Sequence, residues 1–483
     1  MKATLVLVLA AAAAADKVAV RLNRLFEANT ESLATAPVMV KVKLDIAAME
    51  KGASASSDPR QFVYDFLNKA SEENLKTLSG VVDVKDAKPL WIGGAFYLPQ
   101  ATKETVDKLS ASNSVTYVDL NAADVSFEIL KNDKEAAHEA DENEWGVETI
   151  GAPSIWKYYN GSGAVVGSID TGALYTHEAI KNNWRSDLGW FDPYNGTSLP
   201  WDSDGHGSHT IGTMVGSNGI GVAPGAKWIS CMGLYAGSGD DKSLLQCAQF
   251  MLCPTKPDGT GADCKKGPHV INNSWGSQGY DPWFEDALAA WRAAGIIPVF
   301  SNGNEGPACG TVGSPGGYRN VIGVGAIGSY DNEPNLLAFF SSKGPELNNG
   351  PAYVKPDVSA PGFFTLSVDI TSDSSYVEEA GTSMAAPHVA GVVAILKSVD
   401  PTMSYDQVYK YLTATADQSP LNTTEPVTWN NVGRYRNKTY AGAPNCAGVQ
   451  DTAWPNNRFG YGRVNIGTIL RDGTLHDTRR SSC

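Results

Sequence analysis

The chain has 483 residues, a length that is too great for one small domain and predicts two or three. Its composition, 42% hydrophobic and 19% charged, is typical of a globular protein and includes no low-complexity tract. The 52 acidic and 38 basic residues give a formal net charge of −14, and no basic run is long enough for a nucleic-acid surface, so we exclude nucleic acid as a partner.

The first residues are typical of a secretory signal peptide. Lys2 precedes an apolar run over residues 3–15, and the small residues before Asp16 fit a cleavage site. The run is too short to cross a bilayer, and no other segment approaches the ~20 apolar residues that crossing needs. We therefore expect a signal peptide at residues 1–15, no membrane span, and a mature protein that is secreted and extracellular.

A small α/β domain is predicted next. Strand-like and helix-like patterns alternate through it, at residues 38–45, 62–67, 90–98, 105–109 and 115–120, of which the second and fourth have helical spacing. This mixed order predicts a ferredoxin-like fold with a core at about 38–122. Residues 131–144 are charged and nearly lack large apolar side chains, so they predict an exposed linker.

From Trp145 onward, apolar strands alternate with helical patterns. Strands are expected at residues 164–169, 228–234, 270–271, 296–300 and 321–325. Phe284, Leu288 and Trp291 have the i, i+4, i+7 spacing of a helix. Such alternation predicts βαβ units, and hence an α/β domain with an open, mostly parallel sheet and helices on both faces.

Three segments carry candidate chemistry. The string AVVGSID reads as a buried strand that ends in Asp170, and the carboxyl ends of strands are where open α/β sheets gather their chemistry. The string DGHGSHTIGTMVG places His206 between two glycines where a helix begins. The string GTSMAAPHVAG places Ser383 at the start of a helix, near backbone N–H groups that could hold an oxyanion, although a helix N-cap serine fits this segment alone equally well.

These strings and their Asp, His, Ser order resemble the subtilisin-like serine proteases over roughly residues 145–470. The resemblance implies an endopeptidase in which Ser383 is the nucleophile, His206 the general base and Asp170 the group that orients it. In the string PVFSNGNEGP it implies that Asn304, not Asn302, donates to the oxyanion.

The resemblance also implies the organisation of the chain. Residues 16–130 would be a propeptide that assists folding and inhibits the enzyme until it is cut off within the linker, before Trp145. Residues 145–470 would be the catalytic domain and residues 471–483 a C-terminal tail. The expected partners are protein and peptide substrates and the chain's own propeptide, and the expected state is a monomer.

Substrate-binding residues follow from the same resemblance. Ser274, Trp275 and Gly276, in the string NSWG, would pair with the substrate backbone as an added strand. Gly313 would lie on the opposite pocket wall and leave room for a large apolar or aromatic side chain before the cut. The chemistry requires no cofactor, and structural calcium is allowed by resemblance alone, with no dense ligand loop to name.

Secretion permits disulfides and glycans. The seven cysteines lie at positions 231, 247, 253, 264, 309, 446 and 483. Six paired cysteines allow 15 connectivities, and Cys483 is the expected odd one. Glycan acceptors are expected at Asn160, Asn195, Asn422 and Asn437, whereas Asn272 lies in a strand-like segment and should be buried and unmodified.

Other interpretations fit these residues less well. His209 and His388 are rivals of His206 by position, and both are expected to be structural. A catalytically dead, protein-binding homologue would have no reason to keep all four site residues. An acid-acting peptidase of related fold would carry glutamate and aspartate in place of His206 and Asn304, and a lectin or structural protein would leave three ordered motifs as coincidence.

Overall fold

The N-terminal part of the chain folds around a four-stranded antiparallel sheet. The computed structural model describes residues 17–28, 34–132, 142–329, 333–347, 350–430 and 439–476. In chain order this part contains α1 (Val20–Ala28), β1 (Thr35–Val42), α2 (Ile46–Ala55), α3 (Pro59–Ser79), β2 (Lys88–Leu90), β3 (Ala95–Thr102), α4 (Lys103–Ala111) and β4 (Val115–Leu120). The strand order β2-β3-β1-β4, with helices between β1 and β2 and between β3 and β4, agrees with the ferredoxin-like fold that the sequence predicts.

Local sequence signals explain most of these boundaries. Helix α3 begins where the Asp58 side chain accepts a hydrogen bond from the backbone of Gln61, with Pro59 in the first turn. The single strand expected at 90–98 is instead broken by a 3₁₀ turn at Trp91–Gly93. This turn buries Ile92 completely, so packing overrides the local strand pattern.

Two short strands connect this part to the remainder of the chain. They are β5 (Val125–Ser126) and β6 (Leu130–Lys131), and they pair with strands of the larger domain instead of with the first sheet. Of the predicted linker, residues 133–141 lie outside the described ranges, as does the predicted signal peptide.

A seven-stranded parallel sheet forms the centre of the larger domain. Its helices and strands are α5 (Trp145–Thr149), β7 (Val165–Asp170), β8 (Trp190–Phe191), α6 (His206–Val215), β9 (Lys227–Met232), β10 (Ser238–Gly239), α7 (Asp241–Leu252), β11 (Val270–Asn273), α8 (Glu285–Ala293), β12 (Ile297–Ser301), β13 (Ile322–Ile327), β14 (Val358–Pro361), β15 (Thr365–Val368), β16 (Tyr376–Ala380), α9 (Thr382–Val399), α10 (Tyr405–Ala414), β17 (Thr428–Asn430), β18 (Thr439–Ala441), α11 (Ile466–Ile469), β19 (Leu470–Arg471) and β20 (Thr474–Leu475). The strand order is β14-β13-β12-β11-β7-β9-β8. This is the predicted α/β fold.

Helices cover both faces of this sheet, which is why its central strands are almost entirely buried. Helices α6 and α9 contribute to the core on one face, and α7 and α8 to the core on the other. Strand β7 is the first strand, and the chain later adds β9 on one side of it and β11 on the other. Open sheets bind their ligands at the carboxyl ends of strands, where the strand order reverses. Asp170 ends β7 and therefore lies where a functional site is expected.

Helix α9 is long and apolar enough to cross a membrane by length and composition. Within the described ranges it is the one helix with this property, and 89% of it is buried inside the protein. It therefore has the position of a core helix.

Three disulfides join six of the cysteines. They are Cys231–Cys247, Cys253–Cys264 and Cys309–Cys446, and the second closes the Pro/Gly-rich segment between its two cysteines. Cys483 and Asn437 lie outside the described residues. Asn272, predicted to be buried, has 0% exposure.

Candidate active site

Asp170 and His206 form a buried hydrogen-bonded pair at the carboxyl edge of the sheet. Asp170 ends β7 and His206 begins α6, and Oδ1 of the first lies 2.7 Å from Nδ1 of the second. Both side chains have 0% exposure. Burial disfavours the imidazolium, but the charge and hydrogen bond of Asp170 outweigh burial and raise the pKa of His206.

The glycine after His206 is required by this close approach. A Cβ atom on Gly207 would lie 2.2 Å from the carbonyl oxygen of Gly172 and 3.2 Å from Cβ of Asp170. Any side chain there would therefore push the helix away from the strand. The sequence pattern around His206 thus has a steric cause.

Ser383 lies in the first turn of α9 and is 1% exposed. Its hydroxyl donates to the carbonyl oxygen of Ser274 at 3.1 Å, and the hydroxyl of Ser274 donates to the carbonyl oxygen of Ser383 at 2.7 Å. Nε2 of His206 has no hydrogen-bond partner among the residues that the structure describes. The structure therefore joins Asp170 to His206 but leaves Ser383 bonded to Ser274.

Asn304 follows strand β12, and its side-chain amide is fixed at both ends. Its Oδ1 accepts hydrogen bonds from the backbone N–H and the hydroxyl of Thr382, at 2.8 and 2.9 Å. Its Nδ2 donates to the carbonyl oxygen of Glu128 at 2.6 Å. Asn302, the alternative weighed in the sequence, is buried and donates to the carbonyl oxygen of Ser342, so it has a structural role.

The carbonyl of Glu128 belongs to a segment that crosses the site as an added strand. On one side, the backbones of Ser126 and Gly276 exchange two hydrogen bonds of 3.0 Å. On the other side, β6 pairs antiparallel with β16, with Leu130 opposite Ala380. Between these contacts, the Phe127 ring stacks on His206 with 3.7 Å between ring centroids. An extended peptide therefore fills the cleft, as strand addition would hold a substrate.

The predicted substrate-binding residues lie along this cleft, where about 420 Å³ stays open beside the segment. The backbone of Gly276 pairs with that of Ser126 in the segment. The Trp275 side chain is buried instead, with its indole N–H donating to the carbonyl oxygen of Ile169. A Cβ atom on Gly313 would lie 2.5 Å from the carbonyl oxygen of Ser277, so this wall of the cleft needs a glycine. The described lining includes the polar side chains of Gln278, Thr311 and Ser314 and no basic residue.

His209 and His388, the two rivals of His206 by position, have structural partners. Nε2 of His209 lies 3.1 Å from the carbonyl oxygen of Thr365, and burial lowers the pKa of His209. Nδ1 of His388 lies 2.8 Å from the carbonyl oxygen of Met384 in the same helix. Neither ring bonds to Asp170 or Ser383.

In the part of the chain that the structure describes, no group of three or more His, Cys, Asp or Glu side chains could hold a metal ion. We therefore name no ligands for structural calcium, which backbone carbonyl oxygens can also bind, and its presence stays a prediction by resemblance.

Two features of the site were not predicted from the sequence: the segment that fills the cleft and the partner that orients Asn304. The signal for the first was present, since residues 125–130 read VSFEIL, an apolar-rich stretch between the small domain and the charged linker. Thr382 precedes Ser383 directly, and a hydroxyl beside a nucleophile is a reasonable candidate for a supporting role. What the sequence lacked was any indication of where these groups point.

Comparisons with known proteins agree on one family. Residues 161–462 match the Subtilase family. Bacillopeptidase F of Bacillus subtilis (strain 168) is 35% identical over 362 residues, which are 70% of this chain but 22% of that protein's length. M-protease of Shouchella clausii (strain KSM-K16) is 32% identical over 320 residues, 65% of this chain and 75% of that protein. Subtilisin Savinase of Lederbergia lenta is 33% identical over 279 residues, 56% of this chain and 90% of that protein.

Proposed function

The chain belongs to the subtilase family of subtilisin-like serine proteases, and from this premise we propose that it is a secreted endopeptidase made as a self-processing zymogen. Asp170, His206 and Ser383 form its catalytic triad. The observation that carries the proposal is the 2.6 Å hydrogen bond from Asn304 to the carbonyl oxygen of Glu128, next to Ser383 in the cleft. This is the contact that an oxyanion-hole donor makes with a scissile carbonyl.

The proton transfers follow from the Asp–His pair. With Nδ1–H of His206 donating to Asp170, Nε2 keeps its lone pair and can accept a proton. In the proposed reaction, the Ser383 hydroxyl turns from the carbonyl oxygen of Ser274 to that nitrogen. Oγ then attacks the carbonyl carbon as His206 takes the proton, and the imidazolium returns the proton to the leaving amine.

The developing oxyanion is stabilised by two donors in this proposal. One is Nδ2–H of Asn304, which Thr382 already holds in place, so no reorganisation is needed during the reaction. The other is the backbone N–H of Ser383 at the beginning of α9, where the helix dipole also favours negative charge. A water then hydrolyses the acyl-enzyme by the same steps in reverse.

The segment in the cleft supports Glu128–Ile129 as the first bond cut in maturation. This bond has glutamate before the cut, and not the large apolar or aromatic side chain that the resemblance implies. The strand pairing of Ser126 with Gly276 and of Leu130 with Ala380 holds the chain extended on both sides of this bond. Until the cut, Phe127 covers His206 and keeps other substrates out. The sequence predicts the maturation cut itself within residues 131–144. In the present proposal a cut there would come second and would trim the new N-terminus.

The remaining parts of the proposal rest on the sequence. Residues 16–130 would act as folding assistant and inhibitor, and residues 1–15 would direct export. Three disulfides fit an oxidising, extracellular destination. The substrates are proteins and peptides, and the working form is a monomer. Glycosylation stays a prediction from the sequence.

Labelling with a fluorophosphonate probe tests the proposal. The wild-type protein should carry the label on Ser383, identified by mass spectrometry, and should cleave casein. Ser383→Ala should lose both, whereas Ser398→Ala, a serine near the other end of the same helix, should keep both. A folded, processed wild-type protein that takes no label would contradict the proposal and favour the binding-protein alternative.

A further inference from the structure

Beyond the Glu128–Ile129 bond, the segment in the cleft makes a second strand pairing with the larger domain. In the antiparallel pairing of β6 with β16, Lys131 lies directly opposite Glu379. The backbone N–H of Asn132 continues the ladder by donating to the carbonyl oxygen of Glu378 at 3.0 Å. The third residue after the bond is therefore held in a defined register, with its side chain next to that of its cross-strand partner.

Two carboxylates lie close to the ammonium group of Lys131. Nζ of Lys131 lies 3.1 Å from Oε1 of Glu379 and 4.0 Å from Oδ1 of Asp204. Asp204 comes from the loop just before His206, so the two acids approach the ammonium group from different parts of the domain. In the described ranges, Lys131 is the one cation that forms an ion pair with Glu379.

Glu379 is an unusual residue in this position. Its side chain is 1% exposed, and its second oxygen, Oε2, is buried with no hydrogen-bond partner in the part of the chain that the structure describes. Burying a carboxylate is costly unless a cation or hydrogen-bond donors compensate it. When the segment leaves the cleft, Glu379 loses the cation that compensates it here, and an incoming substrate can replace that cation.

We propose that Glu379 and Asp204 form a subsite that selects lysine or arginine at the third residue after the scissile bond. The inference rests on the proposed endopeptidase function and deepens it, because it names a class of preferred substrates. These substrates are proteins with an extended segment in which a basic residue follows the cut by three positions. The Lys131 side chain is 43% exposed, so the contact is partly solvated and the expected preference is moderate.

A matched series of quenched fluorescent peptides tests the subsite on the mature enzyme. The parent peptide VSFEILKN copies residues 125–132, and two variants carry norleucine or glutamate in place of the lysine. The expected kcat/KM for the lysine peptide exceeds that for the norleucine peptide by about 1.5- to fivefold, the range for a partly exposed ion pair. The glutamate peptide should be slowest, and 0.5 M salt should narrow the differences.

Enzyme variants test which residues cause the preference for lysine over norleucine. Glu379→Gln should reduce the lysine-to-norleucine ratio towards one, and Asp204→Asn should reduce it less, since its contact is longer. Glu378→Gln is the matched control, because it removes a carboxylate from the same strand that does not contact Lys131, and the ratio should stay as in wild type. Using a ratio cancels any general effect of a variant on turnover.

The outcomes distinguish a failure of the subsite from a failure of the proposed function. A mature enzyme that labels with fluorophosphonate and cleaves all three peptides at equal kcat/KM overturns the subsite alone. An unchanged ratio in Glu379→Gln also overturns it. A mature protein that cleaves none of the peptides and takes no label overturns the proposed function, and the subsite with it.

Discussion

The side-chain amide nitrogen of Asn304 lies 2.6 Å from the carbonyl oxygen of Glu128. Its amide oxygen accepts hydrogen bonds from Thr382, the residue before Ser383, so the proposed donor and the proposed nucleophile are positioned through neighbouring residues of one helix turn. In the proposed mechanism, this hydrogen bond to the ground-state carbonyl would hold the donor in place before charge develops on that oxygen.

Asn304→Ala should lower kcat by roughly 100- to 1,000-fold with a small change in KM, because the lost bond is strongest in the transition state. Steady-state kinetics on a peptide substrate measure this. Thermal unfolding of the variant provides the control for folding. A decrease below tenfold in a properly folded variant would contradict the oxyanion role.

Ile129→Pro should abolish the first maturation cut at Glu128–Ile129, because proline makes the leaving nitrogen tertiary and restricts the backbone of the residue before it. Ile129→Val, the matched control, should still be cut. Mass spectrometry and N-terminal sequencing of early products of the wild-type protein should identify Ile129 as the new N-terminus. A first product that begins within residues 131–144 would contradict this bond.

Glu379→Gln should shift the acidic limb of the kcat/KM profile to lower pH. His206 must be neutral to accept a proton, and its pKa is raised, so activity falls as the pH decreases through a value above the ordinary 6.5. Glu379 is among the carboxylates whose charge favours the imidazolium, so its removal lowers that pKa. The norleucine peptide should be used for this profile, and Glu378→Gln should leave the limb in place.

Gly381→Ala should slow self-processing. The Gly381 backbone is extended at φ 169, which any residue can adopt, so the substitution adds no backbone strain. The added Cβ would lie 3.2 Å from Cγ2 of Ile129 and 3.3 Å from the carbonyl oxygen of Glu128. We expect roughly a 5- to 100-fold decrease in the rate of the first cut, corresponding to the cost of overpacking. A time course of precursor loss on gels measures it, and an unchanged rate would argue against this docking.

Glu425→Gln should destabilise the catalytic domain by about 3–5 kcal/mol, because two buried cations then lose the negative charge of their shared carboxylate. Glu425 is 1% exposed and lies 2.6 Å from Lys343 and 3.2 Å from Arg458, both also buried. Denaturant unfolding in a Ser383→Ala background, which prevents self-digestion, gives the free energy of unfolding. Asp187→Asn, which removes an exposed partner of Lys266, is the control and should change it by less than about 1 kcal/mol.

The sequence by itself determined the catalytic fold and the candidate triad. The continuous apolar run that forms β7 must be buried on both faces, so its bounding carboxylate, Asp170, had to lie at a sheet edge. The glycines around His206 and the small residues around Ser383 are local consequences of close packing, and they are therefore visible as strings of letters.

Only the tertiary structure decided how these groups meet and what fills the cleft. The strand expected at 90–98 is broken because Ile92 packs into a core shared with the larger domain, which local spacing cannot reveal. The hydroxyl of Ser383 bonds to Ser274, a partner 109 residues away in sequence. Glu379 reads as a polar strand residue, yet it becomes a buried carboxylate because β6 pairs with its strand and Lys131 lies against it. Such long-range contacts depend on how distant segments dock, whereas periodicity and composition record only what each segment does alone.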